Sequence, residues 1–415
     1  MQHLGDVEAA VEAYSQAIRI DEARPLSHYN LGVCMHSQGK IGEALKSFLR
    51  AAELDPSHIG AAYNIGVMYQ ELGELTAAAN SYREVLEVDP YHADARLNYC
   101  TLLSAVGEFS TSERCYLDLL AIHPAFVRGM VALAGLYHSR SSADHLSAAL
   151  ELYRRALHLE PGNSMARHGA AALSGETAAE LDEEYIRELF DGYSATFDES
   201  LATLNYRAPE ILTSLLVSAL DVLGLPPVGL RVLDLGAGTG LACIALRATG
   251  RVATAVGVDL SPQMLRRASA LDCYNDTEVA EAGAFLANYS GHPFDVIIAA
   301  DVLVYIPRLE ELLLGGRRAL SAKGLLAFTV ELPPSGHSGC VGETNACEET
   351  GLLLPTGRYA HSQRYVEQSA TAAGLVPVIS EPCVPRMDKG RPIEGMAFVF
   401  ASTDLADVHK ATTEL

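Results

Sequence analysis

Apolar positions in the first part of the chain fall at helical spacing, and the pattern itself returns every 34 residues. Tyr29-Asn30-Leu31-Gly32 comes back as Tyr63-Asn64-Ile65-Gly66 and as Leu97-Asn98-Tyr99-Cys100. Gly39, Gly73 and Gly107 keep the same step between paired helices, and Pro56, Pro90 and Pro124 follow the second helix of each pair. Ala44, Ala78 and Ser112 are small where two backbones must approach, and Phe48, Tyr82 and Tyr116 stand four residues on. Each unit is a helix-turn-helix whose apolar stripe is buried only by stacking on its neighbours. A fourth copy runs through Leu133, Ala134 and Tyr137 to Ala149, Tyr153, Ala156 and Pro161, with a helix-to-helix turn expected to be three residues longer. One more helix, from about Ser164 to Leu173, reads as the terminal cap that such an array needs. At the front, Ala10, Tyr14 and Ala17 match a second helix whose partner would precede Met1, so the expectation is that upstream sequence is missing, the alternative being that another surface covers that edge.

The pattern changes after a polar, acidic stretch that starts at Ser174. From Tyr185 two helices reach about Leu223, and then short apolar strands alternate with longer helical stretches, which predicts a doubly wound sheet. Strands are expected at 231–235, 253–259, near Glu278, and at 294–300, 324–331, 374–380 and 395–402, the last two making an antiparallel edge. The expected division is 1–173 for the helical array, 174–184 for a linker, 185–403 for the α/β domain and 404–415 for a tail.

Composition narrows the partners. A chain of 415 residues exceeds one ordinary core, and 49% hydrophobic against 20% charged residues excludes a mainly disordered polymer. With 52 acidic and 30 basic side chains the formal charge is -22, which disfavours tracking a phosphate backbone, so nucleic acid is an unlikely partner. No apolar run approaches the ~18 residues of a membrane span. The start Met-Gln-His-Leu-Gly-Asp lacks a signal-peptide layout, so a cytoplasmic setting is expected. None of the eight cysteines forms Cys-x-x-Cys, which predicts reduced thiols and no zinc site.

Chemistry gathers at predicted strand ends, where open sheets bind ligands. The first strand runs into Asp234-Leu235-Gly236-Ala237-Gly238-Thr239-Gly240, three glycines at a spacing of two and two, shorter than the Gly-x-Gly-x-x-Gly of dinucleotide sites. Missing Cβ atoms let the backbone press against a ligand, and Asp234 can attract an ammonium group. Asp259, 19 residues after Gly240, ends the second strand. Its carboxylate can accept bonds from two ribose hydroxyls, and the apolar residues after it, Met264 among them, can cover an adenine.

The repeat register resembles the tetratricopeptide repeat, and the paired glycine and acid motifs resemble the Rossmann-like S-adenosylmethionine-dependent methyltransferases over roughly 185–403. The resemblance implies an all-α solenoid followed by an α/β domain with a mostly parallel, seven-stranded sheet and an antiparallel edge. Ala299-Ala300-Asp301-Val302-Leu303-Val304-Tyr305, Thr329-Val330-Glu331 and Gly357-Arg358-Tyr359-Ala360-His361-Ser362 are similar to strings of a methyltransferase family that also carries tetratricopeptide repeats. By that resemblance Gly236, Gly238 and Gly240 wrap the methionine moiety of S-adenosylmethionine, Asp234 lies near its amine and Asp259 binds the ribose. Two departures stand out. Many relatives hold the adenine amine with an acid after the third strand, where this chain has Gly283 with Glu281 two positions earlier. The fourth strand ends in Ala-Ala-Asp-Val instead of the Asn/Asp-Pro-Pro-aromatic string of enzymes acting on adenine or glutamine nitrogen.

For catalysis the candidates are Asp301 and His361, with Tyr305, Glu331 and Arg358 nearby. Asp301 and His361 could equally cap the helices that follow them. Methyl transfer needs a general base only where the acceptor must lose a proton. Phe190, Tyr193 and Phe197 share a helical face and read either as a lid or as a core stripe. The Gly-rich loop 333–355 reads as a substrate lid; the spacing of His337, Cys340 and Cys347 fits no metal pattern. Asn30, Asn64 and Asn98 would line the groove of the array as a ladder for a peptide backbone, or are simply the usual residue at that position. The leading expectation is an active methyltransferase acting on an unidentified acceptor while its repeats dock a protein. An inactive methyltransferase-fold adaptor is the alternative, and the glycine spacing speaks against a nicotinamide enzyme.

Overall fold

The structure, a computed structural model, describes residues 2–140, 142–175, 182–194, 197–225, 228–334, 351–388 and 390–402. The tail, most of the linker and the central part of the expected lid, with His337, Cys340 and Cys347, lie outside the described residues. The chain forms two compact units, Met1–Arg167 and His168–Leu415.

The first unit is helical: α1 (Gln2–Ile20), then the pairs α2 (Pro25–Ser37) and α3 (Ile41–Leu54), α4 (Ile59–Glu71) and α5 (Leu75–Val88), α6 (Ala93–Ala105) and α7 (Phe109–Ile122), α8 (Val127–Arg140) and α9 (Ala143–Leu159). Gly39, Gly73 and Gly107 end the first helices at φ of 73°, 79° and 84°, a left-handed conformation that glycine adopts at little cost. Close helix approach explains a second set of glycines. A Cβ on Gly32 would lie 2.7 Å from the Phe48 ring, and one on Gly66 would lie 2.6 Å from that of Tyr82.

In the third pair Cys100 takes that position, and it is joined to Cys115 of α7 by a disulfide. This corrects the expectation that every thiol is reduced. Facing positions of the helical hairpin bring the two Cα atoms to 5.5 Å, inside bridging range. Cys34, Cys243, Cys273 and Cys383 are free. A second correction concerns the fourth pair. Its extra residues lengthen α9 to 17, against 14 for α3, α5 and α7, and do not lengthen the turn. Ser142 starts α9 early by accepting a bond from the His145 N–H at 3.3 Å. Asn64 donates to the Tyr29 hydroxyl at 3.4 Å, and Asn98 to those of Tyr63 and Tyr82 at 3.3 and 3.2 Å, so these amides tie successive repeats together.

Helix α10 (Ser164–Ser174) carries the chain from one unit to the next. From His168 onward it belongs to the second unit: His168 lies within 2.8 Å of the Gly357 carbonyl and stacks on Tyr185 at 3.8 Å, while Ala172 packs with Leu353 and Tyr359. Then come α11 (Glu183–Tyr193), α12 (Phe197–Thr203) and α13 (Ala208–Val222).

The sheet is built from β1 (Leu230–Leu235), β2 (Val252–Asp259), β3 (Asp276–Val279), β4 (Phe294–Ala299), β5 (Leu320–Glu331), β6 (Leu352–Leu353), β7 (Tyr359–Ala360), β8 (Val376–Cys383) and β11 (Gly395–Ala401), while β9 (Met387–Asp388) and β10 (Arg391–Pro392) pair apart from it. Its main path is β3-β2-β1-β4-β5-β11-β8, the seven strands expected, and β6 and β7 add a short ladder beside β5. Strands β1 to β5 run parallel, and β11 lies antiparallel between β5 and β8.

Between the strands stand α14 (Leu241–Ala248), α15 (Pro262–Ser269), α16 (Ala282–Asn288), α17 (Glu310–Ala319) and α18 (Gln363–Ala372). Alternate residues bury opposite faces: Leu233, Ile297, Phe328 and Phe398 in one layer, Val232, Val296, Ile298 and Ala327 with Leu212 and Leu216 of α13 in the other. A sheet covered on both sides needs such continuous apolar strands. Among the described residues no helix is long and apolar enough to cross a membrane.

Candidate functional site

Strand order reverses between β1 and β4, where the crevice above the strand ends of a doubly wound sheet opens. A cavity of about 1040 Å³, counting its open mouth, lies there. It is lined by the loop after β1, the tip of β2, the residues after β3 and β4, the helices α11 and α12, and Arg358 and Arg386.

The glycine loop owes its shape to left-handed backbone and to close packing. Gly236, Gly238 and Gly240 have φ of 66°, 52° and 95°, and a Cβ on Gly236 would come within 2.3 Å of Val302. Gly236 and Gly238 line the cavity, whereas Gly240 lies behind them at the start of α14. Asp259 lines the cavity and also braces the loop: its Oδ2 accepts the Gly238 N–H at 2.8 Å and its Oδ1 accepts the Ser261 N–H at 2.8 Å. Burial raises its pKa, and these two backbone bonds oppose the rise.

Two hydroxyls fasten the helical cover. Ser261 donates to Asp191 of α11 and Thr239 to Asp198 of α12, each at 2.6 Å. Phe190 and Phe197 face the cavity and meet edge to face at 6.0 Å, with Phe190 also 5.2 Å from Tyr305, so they serve as both cover and apolar cluster. The Tyr193 side chain is outside the described residues.

Asp234 and Met264, both singled out from the sequence, do not reach the cavity wall. Met264, in the first turn of α15, is fully buried. Asp234 is buried behind the loop, where its Oδ2 accepts the Tyr274 hydroxyl at 2.5 Å and its Oδ1 has no hydrogen-bond partner among the described residues. Burial pushes this carboxyl up to about 7. After β3, Ala280, Glu281 and Ala282 form the wall, and the Glu281 carboxylate caps α16 by accepting from Gly283 at 2.8 Å and Ala284 at 2.5 Å.

The other end of the cavity is polar. Asp301 takes φ 61° and its N–H donates to Thr329 Oγ1 at 2.9 Å, so it does not cap a helix as one reading of the sequence had it. Both its oxygens accept from the guanidinium of Arg386, a side chain only 1% exposed that pairs with Glu331 as well. Arg358 donates from Nε to the Tyr305 hydroxyl at 3.3 Å, and its Nη1 stands 3.7 Å from Glu331, with 27% of the side chain exposed. Tyr206 donates to the Ala300 carbonyl at 3.3 Å.

His361 is not brought into this group. Its ring is fully buried, Nε2 lies 3.0 Å from the Leu303 carbonyl, Tyr365 stacks on it at 5.7 Å, and burial lowers its pKa to about 4. Ser362, not His361, caps α18. Arg386 was missed from the sequence. A lone arginine inside Val384-Pro385-Arg386-Met387 was the only sign, and its partners lie 85 and 55 residues away in the chain.

The family described as a methyltransferase domain matches residues 233–326, the segment that holds the glycine loop, Asp259 and Asp301. Tetratricopeptide-repeat families match residues 3–39, 25–58 and 59–92. The chain is similar to the human methyltransferase-like protein 27, 33% identical over 114 residues, which are 28% of this chain and 45% of that protein. It is also similar to the malonyl-[acyl-carrier protein] O-methyltransferase of Geobacter sulfurreducens, 31% identical over 199 residues, covering 47% of this chain and 69% of that one. A solved magnesium protoporphyrin IX methyltransferase from Synechocystis PCC 6803 with bound S-adenosylmethionine is 18% identical, with a TM-score of 0.38 over 54% of this chain and 99% of that one. The chain belongs to the S-adenosylmethionine-dependent methyltransferases and carries tetratricopeptide repeats ahead of that domain. It spans under half of the human relative's length.

Proposed function

We propose that this protein transfers a methyl group from S-adenosylmethionine to an acceptor held at the polar end of the cavity. The observation that carries the reading is the glycine loop, with Gly236 and Gly238 on the wall of the crevice and Asp259 bonded to Gly238 beside them. A Cβ on Gly236 would collide with Val302, so glycine is required there for the loop to pack on the residues after β4, and the backbone of Gly236 and Gly238 is left on the cavity wall. In this reading Asp259 accepts the ribose hydroxyls with its remaining lone pairs, Gly236 and Gly238 let the loop backbone meet the methionine moiety, and Asp234 serves the loop from its buried place, bonded to Tyr274, and not by contact with the ligand. Ala280 and Ala282 offer a flat wall to the adenine. Bound there, the sulfonium presents an electrophilic methyl group. Asp301 acts as a positioning residue through Arg386, and His361 supports the fold instead of touching substrate. The intact glycine loop argues against the inactive adaptor. The repeats, with Asn30, Asn64 and Asn98 along their first helices, dock a protein partner, and the setting is cytoplasmic.

The experiment is Asp259→Ala, read by S-adenosylhomocysteine affinity and melting temperature together. Losing charge-assisted bonds to the ribose weakens binding roughly 10 to 1000-fold. Losing the bonds from Gly238 and Ser261 also lowers stability by about 1–3 kcal/mol. A lower melting temperature with unchanged affinity would reduce Asp259 to a brace for the loop and contradict the reading.

A further inference from the structure

The polar end of the cavity carries information about the acceptor, given that the methyl donor occupies the glycine loop as proposed above. Asp301 stands there on the wall, and the buried guanidinium of Arg386 engages it together with Glu331, which is not itself part of the lining. Both Asp301 oxygens are directed at Arg386, so this carboxylate is committed as the counter-charge of a buried arginine. His361, the other candidate base, faces the Leu303 carbonyl outside the cavity. Among the described residues this end therefore suits an acceptor that arrives already deprotonated.

Arg358 indicates which one. It lines the cavity, retains 27% exposure, and of its donors Nε is engaged by Tyr305 at 3.3 Å while Nη1 stands at 3.7 Å from Glu331, beyond hydrogen-bond length. A guanidinium fork matches a carboxylate in two parallel bonds and repels an ammonium group. The walls that lead to it, Phe190, Phe197, Leu201 and Pro209, are apolar. We infer that the acceptor is the carboxylate of a molecule with an apolar body, anchored by Arg358 and converted to a methyl ester. One carboxylate oxygen forms the new bond to the methyl carbon with its own electron pair as the carbon–sulfur bond breaks, that pair staying on sulfur. The products are a neutral ester and a neutral thioether, and no proton moves, in keeping with an Asp301 that is already paired with Arg386.

Calorimetry on the full chain saturated with S-adenosylhomocysteine tests this with three probes of one chain length, octanoate, 1-octanol and octylamine. Octanoate binds at least roughly 10-fold tighter than the other two, since charge-assisted bonds to Arg358 are available to it alone. Arg358→Gln lowers octanoate affinity by roughly 10 to 100-fold, and Arg358→Lys, which keeps charge but not the fork, falls between. S-adenosylhomocysteine affinity stays as in the parent protein in both variants, which also reports that they are folded. Preference for octylamine or octanol, no octanoate binding to a protein that holds S-adenosylhomocysteine, or octanoate affinity unaltered in Arg358→Gln would each overturn the inference. Failure of S-adenosylhomocysteine itself to bind would instead strike the functional reading on which it rests.

Discussion

Asp234 and His361 show how burial gives two side chains opposite pH signatures inside one domain. The folded Asp234 carboxyl titrates near 7, above its ordinary value of about 4, so the native state holds that proton more tightly than the unfolded chain. Its contribution to stability is full at low pH and is lost as pH rises from about 4 through 7. For His361 the sign reverses. Burial lowers its pKa to about 4 from an ordinary value of about 6.5, so its contribution is full above that ordinary value and is lost as pH falls through 4. The two slopes oppose each other in the same window. Relative to the parent protein, Asp234→Asn should gain stability as pH rises from 4 to 7, and His361→Gln should gain it as pH falls from 6.5 to 4, checked by urea unfolding at several pH values. Parallel curves for parent and variants would mean that neither group titrates as its burial implies. Asp259 was legible from its place after an apolar run, and so was the glycine loop. Arg386 was not, because a buried ion pair depends on partners far along the chain and leaves no local periodicity.

At the level of helices and strands, pattern and turn chemistry carried most of the information. Every expected strand is present because a buried strand must be apolar and a turn must interrupt it, as between Leu235 and Leu241. What escaped were features fixed by tertiary contact. The two-residue strands β6 and β7 exist only because Leu352–Leu353 and Tyr359–Ala360 meet each other beside β5. The Cys100–Cys115 bridge depends on which faces of α6 and α7 oppose one another. Helix α10 looked like a cap, and its second half packs under Leu353 and Tyr359. We propose that this half is a structural part of the methyltransferase domain. A fragment starting at Asp182 lacks the His168 bond to Gly357 and the His168–Tyr185 stack, and should be roughly 2 kcal/mol less stable than one starting at Ser164. Equal unfolding midpoints for the two fragments would show that α10 adds nothing to the domain.

Taken as a whole, the chain joins two architectures that could be read with unequal completeness. A period of 34 residues names a repeat array almost by itself, since self-similarity survives any uncertainty about single residues. The α/β unit needed two motifs in conjunction, and of the group at the polar end of its cavity Asp301, Glu331 and Arg358 were brought together from strand ends and loops, while Arg386, which ties two of them, was not. The account stands on one claim, that the crevice between β1 and β4 takes S-adenosylmethionine. Titration of S-adenosylhomocysteine and of NAD into the purified full chain tests it most directly. Saturable binding of S-adenosylhomocysteine with none of NAD is the expected result, and tight NAD binding without any of S-adenosylhomocysteine would contradict it.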